Sequence, residues 1–304
     1  MNHMTRREFI ALAGGLGAAS LLPSLTVAQT AAGSVIAKAI PSTAERVPAV
    51  GLGTSRVFDV GDDPSKRAAL TQVLNNLVAG GGKIIDTASS YGTAEGVVGD
   101  LVAQAGLRRK VFIATKLEAP DVAELRRSLQ RLKTEQVDLL QLHNVRDPKQ
   151  SLAQFRDWKA QGLCRYVGIT STFHGDYAAV EEVMAREKPD FVQIDYSLDD
   201  REAETRVLPL AMEVKAAVLT ALPFGRGRLF QAVRGKSLPE WAKEFDAETW
   251  AQFFLKFLLG NPAVTAVIPG TADPEHMTDN LGAMRGRLPE AAQRKKMVEL
   301  LNSL

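Results

Sequence analysis

Lys83–Gly92 reads KIIDTASSYG, and its pattern recurs twice further along the chain. Lys83, Ile84 and Ile85 form a short apolar run behind the breaker Gly80-Gly81-Gly82, which predicts a buried strand ending at Asp86. Tyr91 follows in a loop of small and polar residues. Val111–Lys116 (VFIATK) is a second such run and ends on a lysine; Val137–His143 (VDLLQLH) is a third and ends on a histidine. Whether Asp86, Tyr91, Lys116 and His143 act together depends on whether the three strand ends share one face.

The flanking sequence supplies that condition. Ala49–Thr54 reads as a strand before the central stretch. The helix between them has Asp63 as N-cap, Pro64 as first residue, Leu70, Val73, Leu74 and Leu77 along one face, and Gly80 at its close. Downstream, helical spacing marks Thr93–Ala105, Asp121–Lys133, a segment opening at Asp147-Pro148, Asp176–Arg186, Arg201–Glu213 and residues 247–259. Apolar runs mark strands at Arg165–Thr170, Phe191–Tyr196, Ala216–Ala221 and Val264–Pro269. A helix opening at Asp273-Pro274 and a tail helix over Glu290–Leu301 end the chain. Eight near-continuous apolar strands, each followed by a helix, predict a parallel sheet buried on both faces and closed as a (β/α)8 TIM barrel, a single domain over 48–304. No G-x-G-x-x-G follows the first strand, which argues against a doubly wound open sheet. In a parallel barrel every strand ends at the same rim, so Asp86, Lys116 and His143 share it by topology.

Composition fits a globular chain: 304 residues, 45% hydrophobic, 24% charged, net charge +2. That balance gives no basic surface for nucleic acid. Cys164 is the single cysteine, which excludes an intrachain disulfide and reads as a small buried apolar residue. The amino terminus reads differently. Arg6-Arg7 precede a weakly apolar, Gly/Ala-rich run from Ile10 to Leu25, which reads as a twin-arginine export leader over 1–28 with cleavage after Ala28. The run is shorter than the roughly 20 residues that span a bilayer. The expectation is a periplasmic protein exported by the twin-arginine (Tat) machinery, with no membrane segment in the mature form. Residues 29–47 read as a polar linker.

A phenol holds its proton at neutral pH, and a nearby ammonium favours the phenolate, turning tyrosine into a usable general acid. Lys116 can supply that ammonium, Asp86 its counter-ion, and His143 can orient a carbonyl oxygen or share the proton. Together they suit protonation of an oxygen on which negative charge develops. A metal-dependent barrel hydrolase fits less well, because His143 is the one strand-end histidine and no paired ligand spacing accompanies it.

At these residues the sequence resembles the aldo-keto reductase family. The likeness runs through GLGTS (51–55), IDTASSYG (85–92), ATK (114–116), VDLLQLHN (137–144), VGITS (167–171), Gln193 with Tyr196-Ser197, PFGRG (223–227) and IPGTADPEHMTDN (268–280), in the family's order. The resemblance implies a (β/α)8 barrel that moves hydride from NADPH, less often NADH, to an aldehyde or ketone. It makes Tyr91 the general acid tuned by Lys116 and Asp86, with His143 orienting the substrate. It places Thr170, Ser171 and Gln193 at the nicotinamide carboxamide, and Gly225, Arg226 and Gly227 with Gly270 and Thr271 around the pyrophosphate. His276 then falls near the 2′-phosphate, and Asp279-Asn280 at the adenine.

The sequence departs from the family pattern in three places, one of them a pair of residues. Ala221 stands where many members stack a tyrosine under the nicotinamide, leaving Phe224 as the candidate. Gly270 and His276 stand where a lysine and an arginine often meet the 2′-phosphate, so NADH stays open beside NADPH. Asn144 replaces a bulky aromatic beside the substrate. The leading expectation is an exported carbonyl reductase acting on a small molecule, with an unidentified redox partner or tight cofactor retention sustaining turnover outside the inner membrane. The alternative is a nucleotide-binding sensor or accessory subunit with little turnover.

Overall fold

A computed structural model of the chain describes residues 34–304, so the leader, its cleavage point and the first part of the linker lie outside the described residues. Strands β1 (Ala37–Ala39) and β2 (Arg46–Pro48) pair antiparallel with Lys38 opposite Val47. Eight parallel strands follow. They are β3 (Leu52–Gly53), β4 (Ile84–Asp86), β5 (Phe112–Leu117), β6 (Val137–Leu142), β7 (Cys164–Ser171), β8 (Phe191–Asp195), β9 (Ala217–Ala221) and β10 (Val264–Val267), each hydrogen-bonded to the next in chain order. The sheet closes on itself: the amides of Gly51 and Gly53 donate to the carbonyls of Val267 and Pro269 at 2.9 and 3.0 Å, and Val267 N donates to Ala49 O at 2.9 Å. A Cβ on Gly51 would come within 2.8 Å of both Ile84 and Ile268, so the seam closes only around a residue without a side chain. This is the barrel expected from the strand pattern.

Helices cover the outside. They are α1 (Pro64–Ala79), α2 (Ala94–Gln104), α3 (Val122–Arg131), α4 (Ala153–Ala160), α5 (Tyr177–Glu187), α6 (Val207–Glu213), α7 (Arg228–Ala232), α8 (Trp250–Leu259), α9 (Pro274–Gly282) and α10 (Ala291–Asn302). Asp63 caps α1 by accepting from the amides of Ser65 and Lys66, and Pro64 opens it, as the sequence predicts. The fourth helix starts later than Asp147-Pro148 suggests, because the Asp147 carboxylate closes a tight turn on Lys149 N at 2.9 Å. None of the described helices is long and apolar enough to cross a membrane.

The linker reading over 29–47 needs correction. Within the described part, residues 37–48 form the β1–β2 hairpin, which seals the barrel mouth opposite the strand ends. Ile40 and Val47 are buried with Ile84, Phe112, Tyr166 and Phe191 inside the barrel. Lys38 Nζ donates to the carbonyls of Leu259 and Val264, and Glu45 accepts from the Tyr166 hydroxyl at 2.6 Å. The segment is polar because it lies over the mouth with one face toward solvent.

Period-two alternation decides what points inward. Ile84, Phe112, Ala114 and Leu139 belong to the interior cluster, whereas Ile85, Ile113 and Leu140 pack outward against helices. Continuing the inward series along each strand reaches Asp86, Lys116, Gln141 and His143. The rings of Phe112, Tyr166 and Phe191, with centroids 5.5–6.0 Å apart, form an apolar floor below them.

Candidate active site

Four polar side chains converge above that floor. Lys116 Nζ donates to Asp86 Oδ2 at 2.6 Å and to the Thr87 carbonyl at 2.8 Å, and both side chains of the pair are almost fully buried. Burial alone would lower the lysine pKa. The facing Asp86 carboxylate and the Tyr91 phenol outweigh it and hold Lys116 above its ordinary range, so it stays an ammonium. Gln141 Nε2 adds a 3.5 Å contact to the other Asp86 oxygen.

Tyr91 comes from the loop after β4. Ser89 N donates to Lys116 O at 3.1 Å, tying that loop to β5, and Tyr91 O accepts from Ala94 N as α2 begins. Gly92 has φ +58, and a Cβ there would lie within 2.5 Å of the Asp59 carboxylate, which accepts from both Thr93 N and its hydroxyl at 2.8 Å. The SYG sequence thus fixes the turn that aims the tyrosine. Lys116 Nζ lies 5.1 Å from the Tyr91 ring centroid.

His143 sits one residue past β6, its amide donating to Leu117 O at 2.8 Å. Its ring meets Tyr91 edge-on, with centroids 5.8 Å apart at 75°. Burial, reinforced by the Lys116 charge, holds its pKa below the usual imidazole value despite the opposing pull of Glu118 and Asp86, so the ring is neutral at pH 7. Nδ1 pairs with Glu118 Oε1 at 2.6 Å. Glu118 was not among the sequence-predicted residues, yet its position carried the signal: it continues the inward series Ala114, Lys116 one residue past the end of β5.

Asp86, Tyr91, Lys116 and His143 line a cavity of about 610 Å³, within the range of small-molecule sites. Thr170, Gln193, Phe224, Arg226, Gly227 and Gly270 also line it. Thr170 Oγ1 accepts from Asn144 N at 3.0 Å. Gln193 is buried, and its Oε1 has no hydrogen-bond partner. An orphaned amide oxygen beside a cavity fits a ligand that brings N–H groups, as a nicotinamide carboxamide does. Arg226 stands in the left-handed region between Gly225 and Gly227 and forms no ion pair with any of the described residues. Gly225 borders an adjoining hollow of about 520 Å³ that shares Arg226 with the main cavity. Ala221 lines the main cavity too, and the nearest aromatic after β9 is Phe224, whose ring packs on Phe230 at 4.8 Å.

Other predicted contacts are drawn elsewhere. The Ser171 hydroxyl donates to Asp176 at 3.1 Å and accepts from Phe173 N, so it braces the turn after β7 and is turned from the cavity. Thr271 accepts from Asp273 N at 3.0 Å. Asp273 caps α9 by accepting from the amides of Glu275 and His276, which pulls its carboxyl below the usual range and occupies two N–H groups at the start of that helix. His276 is exposed on the first turn of α9. Asp279 accepts from Thr249 and Gln252 of the α8 start at 3.0 and 2.8 Å, and Asn280 is buried. The thiol of Cys164 is buried and pushed up to about 12, an inert packing residue as composition suggested. A group the sequence reading did not single out, His174 with Asp195 and Asp200, brings one imidazole nitrogen within 3.3 and 3.1 Å of two carboxylates. It bridges the loops after β7 and β8, with Tyr177 donating to Asp195 at 2.8 Å.

Comparison with known proteins agrees with this geometry. The sequence model described as "Aldo/keto reductase family" matches residues 49–295. Methylglyoxal reductase YeaE of Escherichia coli (strain K12) is 28% identical over 81% of this chain and 88% of its own length. An uncharacterized oxidoreductase of Schizosaccharomyces pombe, C215.11c, is 30% identical over 77% of this chain and 80% of its own. Among solved structures, an aldo-keto reductase from Klebsiella pneumoniae in complex with NADPH superposes with TM-score 0.71 at 25% identity, covering 88% of this chain and 95% of that one.

Proposed function

Since this chain belongs to the aldo/keto reductase family, we propose that it reduces an aldehyde or ketone to the alcohol with NADPH as reductant and Tyr91 as proton donor. The observation that carries the reading is the buried Lys116 ammonium, 2.6 Å from Asp86 and 5.1 Å from the Tyr91 ring, on the wall of the cavity that His143 also lines. When bound, NADPH supplies the hydride that the carbonyl carbon receives. The chain's own residues do the rest. The Tyr91 hydroxyl gives its proton to the carbonyl oxygen as charge builds there. Lys116 stabilises the phenolate left behind, and Asp86 keeps Lys116 in place in a dry pocket where such charges act strongly. The complete proton-transfer set favours an enzyme over an accessory subunit.

Gln193 Oε1 and Thr170 would hold the carboxamide, and Arg226 with Gly227 and Gly270 the pyrophosphate. His276 at the opening of α9 would meet a 2′-phosphate, its neighbour Asp273 being turned into the helix cap. The relative solved with NADPH supports that cofactor. Purified protein should consume NADPH only when an aldehyde or ketone is added. No consumption with any member of a broad panel would overturn the reading.

We also propose export by the twin-arginine pathway, on the strength of Arg6-Arg7 and the Gly/Ala-rich apolar run behind them. Folded export lets the cofactor travel inside the barrel, and either its retention or a redox partner sustains turnover. A chain with both arginines changed to lysine (R6K, R7K) should stay in the cytoplasm while the natural chain reaches the periplasm; equal distribution of the two would contradict export.

A further inference from the structure

We infer that Glu118 selects the tautomer of His143, keeping a proton on Nδ1 and leaving Nε2 bare, so that the ring can donate to a substrate carbonyl only after taking up a second proton. The inference rests on the proposed carbonyl reduction and deepens it by assigning a positioning residue and a protonation requirement. A carboxylate oxygen accepts and does not donate, so the 2.6 Å contact between Glu118 Oε1 and Nδ1 places the proton on Nδ1. The remaining neighbour of that nitrogen, Ser90 Oγ, is farther away at 3.5 Å. The neutral ring then has one bare nitrogen, Nε2, which can accept from an alcohol hydroxyl but cannot donate to a carbonyl. Donation needs the imidazolium, with Glu118 balancing its charge.

The groups facing the ring set when that happens. The Lys116 ammonium on β5 opposes a second proton, the Asp86 carboxylate on β4 and Glu118 favour it, and the Tyr91 ring packs edge-on from the loop after β4. Burial and Lys116 prevail, so the donating form belongs to the acid side of the physiological range. Glu118 thereby biases the neutral enzyme toward holding alcohol and the acid enzyme toward holding carbonyl. A hydrogen bond to a charged acceptor favours one tautomer on the order of 10–100-fold over the other.

The test is the pH dependence of kcat/KM for NADPH-driven reduction of para-nitrobenzaldehyde by the full chain and by Glu118→Gln. In the natural protein the value should fall about tenfold per pH unit through the His143 titration and level off on the order of 10–100-fold lower. A glutamine can donate to Nδ1 through its amide, which frees the ring proton for Nε2. E118Q should therefore give a nearly flat profile and exceed the natural protein on the alkaline side. A profile for E118Q that runs parallel to the natural one, merely lower, would overturn the assignment. Ring-nitrogen NMR of the full chain near neutrality, assigned against His143→Asn, supplies a readout that needs no turnover. The expected signal is a protonated Nδ1 and a bare Nε2 at His143, and a proton on Nε2 instead would overturn the inference. Absence of aldehyde reduction altogether would sink the proposed function while leaving the NMR result to stand or fall alone.

Discussion

Changing Tyr91 to phenylalanine is expected to lower kcat/KM for aldehyde reduction by about 10²–10⁴-fold, the range a positioned general acid contributes, while NADPH still binds. The substitution removes one oxygen and keeps the ring. The edge contact with His143, centroids 5.8 Å apart, and the facing Lys116 Nζ at 5.1 Å are both made by ring atoms and should persist. The hydrogen bonds from Thr93 N and its hydroxyl to Asp59 hold the loop independently of the Tyr91 hydroxyl. The loss should thus fall on proton delivery and leave the fold intact. Fluorescence titration with NADPH and a thermal melt of the variant separate the two: near-natural binding and melting with activity lost is the expected set. A Tyr91→Phe protein that reduces aldehydes at the natural rate would remove the tyrosine from the chemistry.

The second large effect is on stability. Lys116 and Asp86 are buried together, with side-chain exposures of 2% and 6%. Lys116→Met leaves the Asp86 carboxylate without its ammonium in a dry interior, and breaking such a pair typically costs about 3–5 kcal/mol. For a domain of this size that corresponds to a fall in Tm of roughly 10 °C. Activity should vanish as well, because the phenolate loses its stabilising charge. Replacing both members, as in D86N/K116M, removes the stranded charge and should return most of the stability but none of the activity. That divergence marks the pair as a functional device whose stabilising role is incidental. A K116M melt equal to the natural one would mean the carboxylate finds another partner, and the electrostatic picture of the pocket would fail.

Much of this was legible in the sequence because barrel strands are local signals. Each apolar run reports its own burial, and alternation along Ile84–Asp86, Phe112–Lys116 and Val137–His143 carries the inward face to Asp86, Lys116 and His143 without reference to the rest of the fold. What escaped depends on choices between partners. The Ser171 hydroxyl could face a ligand or the turn that follows; Asp176, five residues on, takes it. Asp279 is drawn to Thr249 and Gln252 on the neighbouring helix, a partner 30 residues away that no local pattern announces. The β1–β2 hairpin was hidden for a related reason: Ala37–Pro48 is short, carries charges, and becomes ordered through the mouth of the barrel it closes. Glu118 follows the same alternation but lies one residue beyond the strand, which ends at Leu117.

The most direct measurement of the central claim follows the hydrogen itself. NADPH carrying deuterium at the transferable position of its nicotinamide ring should be turned over with an aldehyde, and the alcohol examined by mass spectrometry and proton NMR. The alcohol should carry one deuterium on the carbinol carbon, with its hydroxyl proton drawn from solvent. Alcohol formed without deuterium on that carbon, or cofactor oxidised without any alcohol, would rule out hydride transfer from NADPH to the carbonyl.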